Sequence, residues 1–165
     1  HTLGQPLPLS ATSWHAGLLS VRLSGAASAV RAAQARLGGE AVPHAAEFWR
    51  RLRDHTAAFF DANQPPLWRL SLNSTAAPLA MSGLDANHAQ WIEWGGAQRW
   101  VRSDLPAVAL REIARHHGGH ATRCTPGEGG AFTPPSPALA AIHLKLKQRF
   151  DPAGILNRGR LYAEF

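Results

Sequence analysis

The sequence predicts an α+β domain: an antiparallel sheet with helices packed on one face, in a ferredoxin-like arrangement. Three observations predict it. Several short runs alternate apolar and polar residues with the period of two that a half-buried strand requires. Others repeat apolar residues every three to four positions, as an amphipathic helix does. The two kinds follow one another as strand, helix, helix, strand, hairpin, helix, strand, helix, an order that lays helices across a sheet. Two strand-helix halves flanking a hairpin give the ferredoxin-like plan. Of the 165 residues 45% are hydrophobic and 17% charged, which suits one compact domain with a real core over 1–165.

Each element has its own signal. Over 17–24, Leu19, Val21 and Leu23 alternate with Ser20, Arg22 and Ser24, a strand. Ala26, Val30, Ala33 and Leu37 then recur at helical spacing, and Gly38-Gly39 supplies a glycine stop. From 44 to 62 the stripe Ala45, Phe48, Trp49, Leu52, Thr56, Phe59, Phe60 predicts one long helix, an addition to the ferredoxin-like plan, with Arg50, Arg51 and Arg53 on its wet side. Pro65-Pro66 ends it. Trp68, Leu70 and Leu72 alternate as a strand, and 73–87 reads as a loop. Segments 90–94 and 97–102 flank Gly95-Gly96, whose glycines admit the positive φ of a tight hairpin. Residues 105–117 are helical up to Gly118-Gly119, and a short strand follows over 120–124. Ser136 caps a last helix in which Leu139, Ile142, Leu146 and Phe150 share a face, and Asp151-Pro152 terminates it.

Composition bounds the function only loosely. The net charge of +6 favours anionic partners without selecting one. A single cysteine, Cys124, excludes an internal disulfide and a thiolate metal cluster and reads as an ordinary buried thiol. No apolar run approaches the roughly 20 residues of a membrane-spanning helix, and 1–5 lacks a basic-then-apolar export signal, so a cytoplasmic, non-transmembrane protein is expected. A start at His1 in place of methionine suggests a piece of a longer protein, so a motif missing here need not be missing from the parent.

The most specific segment is the tail 145–162, KLKQRFDPAGILNRGRLY: a helix end, Asp-Pro, a glycine turn, Asn157 and the basic residues Arg158 and Arg160. It resembles the C-terminal signature DP-x-G-(I/L)-(L/F)-N-P-G-(R/K) of the flavoprotein family that includes vanillyl-alcohol oxidase, D-lactate dehydrogenases and glycolate oxidase. Asp151, Pro152, Gly154, Ile155, Leu156, Asn157, Gly159 and Arg160 match, and Arg158 stands where the proline is usual. PLPLSATSW at 6–14, RLSGAASAVRAA at 22–33, LWRLSL at 67–72, WGGAQRW at 94–100 and GGHAT at 118–122 narrow the resemblance to the E subunits of glycolate oxidases.

The resemblance implies a C-terminal cap domain whose upstream FAD-binding half is absent from this chain. The parent would support oxidation of a 2-hydroxy acid, glycolate to glyoxylate, with FAD as cofactor, and the isolated piece would be inactive and hold no flavin unaided. Implied partners are that upstream domain, a flavoprotein D subunit and an iron-sulfur subunit, with attachment at the inner membrane through the complex. Asn157, Arg160 and His120, the last in the GGHAT segment, are the candidate cofactor-facing residues. An amide can donate and accept at a heterocycle edge, and a guanidinium suits an anionic ring or a carboxylate. The plain alternative is a helix stop, with Asn157 serving its own loop, the arginines solvated and His120 a sheet histidine.

Other constellations are weaker. His116, His117 and His120 invite a metal reading, but the first two are adjacent at a helix end and point apart, so no metal is expected. Trp91, Trp94 and Trp100 with Arg99 and Arg102 suggest a stacking surface for single-stranded nucleic acid. The aromatic consensus of an RNA-recognition motif is absent, and burial of the tryptophans is preferred. The rivals to the oxidase reading are thus a nucleic-acid module and a pure assembly domain. GEGG at 127–130 lacks the lysine and strand-to-helix setting of a phosphate loop.

Overall fold

The computed structural model describes residues 7–79 and 89–162. Six strands, β1 (Leu9–His15), β2 (Leu18–Leu23), β3 (Leu67–Ser71), β4 (Gln90–Glu93), β5 (Gln98–Arg102) and β6 (His120–Arg123), form one sheet in the order β2-β1-β4-β5-β3-β6. Every pairing is antiparallel. The helices are α1 (Ala27–Leu37), α2 (Ala45–Arg53), α3 (Ala107–His116) and α4 (Pro137–Phe150). The α+β class with a ferredoxin-like antiparallel sheet is therefore the observed fold.

Successive residues of a strand point to opposite faces, and β3 shows what each face carries. Trp68 and Leu70 join Val101 and Ala121 against Leu110 and Ala114 of α3, the expected helical cover. Leu67 lies on the other side with Trp91 and Trp100, under Leu52 of α2 and Phe60. The segment read as an addition to the ferredoxin-like plan thus lies against the opposite face.

Two elements depart from expectation. β1 has no clear apolar alternation, because its inward positions include Ser13, buried where it accepts a hydrogen bond from Trp91 Nε1 at 2.6 Å. It pairs with β2 across Ala16 and Gly17, both at positive φ as a tight hairpin turn needs. The long helix expected over 44–62 stops at Arg53. His55 takes a left-handed φ of 53°, and Ala58–Phe60 forms only a single 3₁₀ turn.

The hairpin arginines explain that break. Arg102 is buried and donates to three backbone carbonyls, Phe59, Asp61 and Pro65, each at 2.8 Å, folding the chain back before β3. Arg99, also buried, does the same for Gly96, Ala76 and Ala77 at 3.0, 2.5 and 3.0 Å. Gln90 adds a two-way bond to the backbone of Leu79. These groups fasten 73–79; the remainder of the expected loop 73–87 lies outside the described residues, as do 1–5. Trp91 and Trp100 are buried with Arg99 and Arg102, and only Trp94 of that group stands exposed. The five do not form a common stacking surface. At the α3–β6 turn, a Cβ on Gly119 would sit 1.8 Å from the carbonyl oxygen of Ser71, so only glycine permits this approach to β3.

Candidate functional site

The tail motif folds into a compact hook at the end of α4. Ser136 caps that helix by accepting the Leu139 N–H at 3.4 Å, with Pro137 in the first turn, as expected. At the other end Lys147 Nζ donates to Asp151 Oδ2 at 2.5 Å and also to the Leu156 carbonyl. The carboxylate in turn accepts the N–H groups of Ile155 at 3.1 Å and Leu156 at 2.9 Å. The Lys147 ammonium, with those two amides, holds the Asp151 carboxyl down to about 2, although desolvation opposes them.

Positive φ angles at Gly154, Asn157 and Gly159 complete the reversal. Asparagine tolerates that region better than most side-chain-bearing residues. Arg158, the departure from the motif, donates through Nε to the Gly154 carbonyl and so braces the turn. Arg160 donates its backbone N–H to the Asn157 carbonyl at 3.2 Å.

The hook and the last turns of α4 enclose an open cleft of about 770 Å3. Its walls are mainly apolar, with Phe132, Leu146, Phe150, Leu156 and Leu161, and Asn157 and Arg160 stand among its polar lining. A mostly apolar concavity with a few convergent polar groups is the usual character of a binding site. The structure brings Asn157 and Arg160 together there. His120 does not join them: it begins β6 opposite Ser71, exposed and off the cleft.

The apolar stripe of α4 has an unexpected orientation. Leu139, Ile142, Leu146 and Phe150 do share a face, the kind an amphipathic helix ordinarily buries, yet they are 51, 52, 50 and 81% exposed. The half-buried positions are Ala140, His143 and Lys147. The helix therefore rests on the domain through a narrow, partly polar edge.

A larger cleft, about 1030 Å3, lies between the β1–β2 hairpin and α2, with Arg22, Arg50, Arg53, Glu93 and Trp94 on its walls. Several of its charges are already engaged. Arg53 pairs with Asp54 at 2.7 Å, and Glu93 accepts from Trp100 Nε1 at 2.6 Å and Gln98 Nε2 at 3.2 Å. No residue of the tail motif 151–160 lines it, although residues of the segments 6–14, 22–33 and 94–100 do. Arg51 lines another pocket with His15, Phe48 and Phe59, and Arg50, Arg51 and Arg53 are all exposed, as the wet face of the helix requires.

Among the described residues no group of three or more His, Cys, Asp or Glu is placed to hold a metal. His116 and His117 meet edge to face, 5.6 Å between ring centres. Cys124, expected to be buried, is exposed just beyond the edge strand β6. Its thiol is nonetheless pushed up by local desolvation, against the opposing pull of Arg69 and Arg102.

Sequence reasoning found the motif but missed Lys147 as its anchor; the i,i+4 spacing to Asp151 was the available signal. The cleft's groups suit contact with the edge of a planar heterocycle, through one amide and one guanidinium. No helix of the described residues is long and apolar enough to cross a membrane.

No family model matches the chain, and no solved structure does. Among curated proteins it is 44% identical over 160 residues, 97% of its length, to the glycolate oxidase subunit GlcE of Escherichia coli (strain K12). The chain spans 43% of the length of that protein.

Proposed function

We propose that this chain, similar over nearly its whole length to a glycolate oxidase subunit, is the C-terminal cap domain of such a subunit and is inactive alone. The observation that carries the reading is the agreement between that 44% identity and the hook. The segment with the most specific motif is also the one that builds an apolar cleft with Asn157 and Arg160 beside it.

The parent subunit joins an upstream FAD-binding domain to this cap and serves flavin-dependent oxidation of a 2-hydroxy acid, glycolate to glyoxylate. FAD supplies the hydride acceptor. What this chain contributes is position. The Asn157 amide and the Arg160 guanidinium offer hydrogen bonds and positive charge to a cofactor or substrate edge, and the apolar walls keep water from that edge. His120 is a secondary candidate that needs a surface supplied by another domain. The further partners are a flavoprotein D subunit and an iron-sulfur subunit that carries electrons away, and the complex works in the cytoplasm or against the inner membrane.

The test compares the isolated chain with the complete parent subunit and the reconstituted complex. The isolated chain is expected to purify colourless and without glycolate-dependent dye reduction. The parent should carry FAD, and the complex should reduce dye with glycolate. A parent subunit without flavin and without any flavoprotein partner sinks the reading, and so does turnover by the isolated chain.

A further inference from the structure

We infer that the cleft between the β1–β2 hairpin and α2 binds a small planar anion, an aromatic ring stacked on Trp94 and joined to a carboxylate or phosphate held by Arg22 and Arg50. The clue is the state of Trp94. Its side chain is 71% exposed and its backbone is left-handed, with a φ of 53°. A bulky residue seldom adopts that region, and at an exposed position little packing offsets the strain. Three contacts nonetheless pin the turn. Gly95 donates its N–H to Thr12 Oγ1 at 2.8 Å, and the Gly96 carbonyl accepts from Arg99 Nε at 3.0 Å. A Cβ on Gly96 would meet the Ser74 carbonyl oxygen at 2.4 Å, so only glycine fits there. With φ of 61° and 100° at the two glycines, the chain stays left-handed through three residues, and Trp94 is carried to the wall of the cleft. A fixed, exposed indole inside a concavity offers its π face to another flat ring.

Charge selects the rest of the ligand. Arg22 reaches the cleft from β2 and Arg50 from α2, so basic groups stand on both walls. Both are exposed, and neither side chain makes a hydrogen bond or ion pair among the described residues, although Asp54 lies near enough to feel the charge of Arg50. The other charges are committed, Arg53 to Asp54 and Glu93 to Trp100 and Gln98. What remains available is positive. A guanidinium fork matches carboxylate and phosphate geometry. A volume of about 1030 Å3 is far more than a bare oxyanion fills, which assigns ring and charge to one molecule. A nucleic-acid strand fits less well, because Trp91 and Trp100 are buried and successive bases would find one platform only.

The test titrates the whole chain by calorimetry at constant ionic strength, with the Trp94 indole N–H followed by NMR. Adenosine monophosphate and naphthoate supply a ring with a phosphate or a carboxylate. Adenosine and naphthylmethanol are their uncharged counterparts, and inorganic phosphate is the charge alone. At least one ring anion should bind and shift the Trp94 signal, on the order of 10-fold more tightly than its uncharged counterpart and than phosphate. The tighter of the two names the anionic group. Arg22→Gln combined with Arg50→Gln should erase the preference for the charged member of each pair. Trp94→Asn should weaken ring binding on the order of 10-fold. Asparagine takes the left-handed region more readily than tryptophan, so the urea midpoint of that variant should equal or exceed that of the unsubstituted chain. Four results overturn the inference: no ring anion binding below about 10 mM, uncharged rings binding as tightly as charged ones, binding that survives Trp94→Asn, or a urea midpoint that falls in that variant, which would make the indole a structural group.

Discussion

Acidification tests the hook directly, because its central carboxylate titrates well below the ordinary range. The Asp151 carboxyl moves from the usual 3.8 to about 2 through the Lys147 ammonium and the N–H groups of Leu156 and Ile155. A lowered carboxyl pKa means that the folded hook binds its proton less readily than the open chain. Its stabilisation is therefore complete above about 3.8, erodes as pH falls through that interval, and is gone below about 2. Amide exchange and chemical shift at Ile155 and Leu156, followed from pH 7 to pH 1.5, should change with a midpoint near 2, while Val101 and Ala121 in the core report any global unfolding. Asp151→Asn gives the pH-independent counterpart. The amide nitrogen cannot accept, so one of the two backbone N–H groups or the lysine loses its partner. At least one of Ile155 and Leu156 should then exchange faster at pH 7, with the core unchanged. A midpoint at the ordinary 3.8, or an asparagine variant with both amides still protected, would refute the assignment of Asp151 as the hook's keystone.

Three further outcomes follow from the same geometry. Arg102→Met removes three charge-assisted bonds to carbonyls, each worth about 1.5–3 kcal/mol, offset by relief of a buried charge. The net loss in urea unfolding should be about 3 kcal/mol; a change under about 0.5 kcal/mol would mean that water replaces the guanidinium without cost. Gly119→Ala forces a methyl into the Ser71 carbonyl, so β6 should lose protection at Ala121 before β1 and β2 do. Asn157→Gly keeps the left-handed backbone and should leave the hook intact, whereas Asn157→Ala should destabilise it by about 1 kcal/mol. If the glycine variant also loses activity in the assembled parent, the side-chain amide has a role beyond the turn.

Much of the fold was legible because most elements announce themselves locally. The strand 17–24, the β4–β5 hairpin with its glycines, and the capped start of α4 all follow from periodicity and turn chemistry within a dozen residues. β1 was not legible, since Ser13 and His15 hold inward positions where alternation calls for apolar residues. Their burial depends on Trp91, 78 positions away from Ser13. The helix over 44–62 was overextended because Phe59 and Phe60 continue the apolar stripe, and nothing at His55 marks a break. Its cause, Arg102, lies some 40 residues downstream. The same distance hid the role of both hairpin arginines: a guanidinium serving loop carbonyls looks in sequence like a surface charge. In the candidate site the motif was readable, but the outward turn of α4 was not. Periodicity identifies the apolar side of a helix without saying what that side meets.

The hook also divides its motif into residues already committed to structure and residues still free. Asp151 is engaged by three donors, and Gly154 and Gly159 supply backbone angles. Arg158, at the position where the signature that the tail resembles carries proline, braces the turn through the Gly154 carbonyl, so a side-chain bond stands in for a stiff ring. Asn157 needs only its backbone for the turn. Asn157 and Arg160 line the cleft and are exposed, and neither side chain takes part in the hydrogen bonds described for the hook.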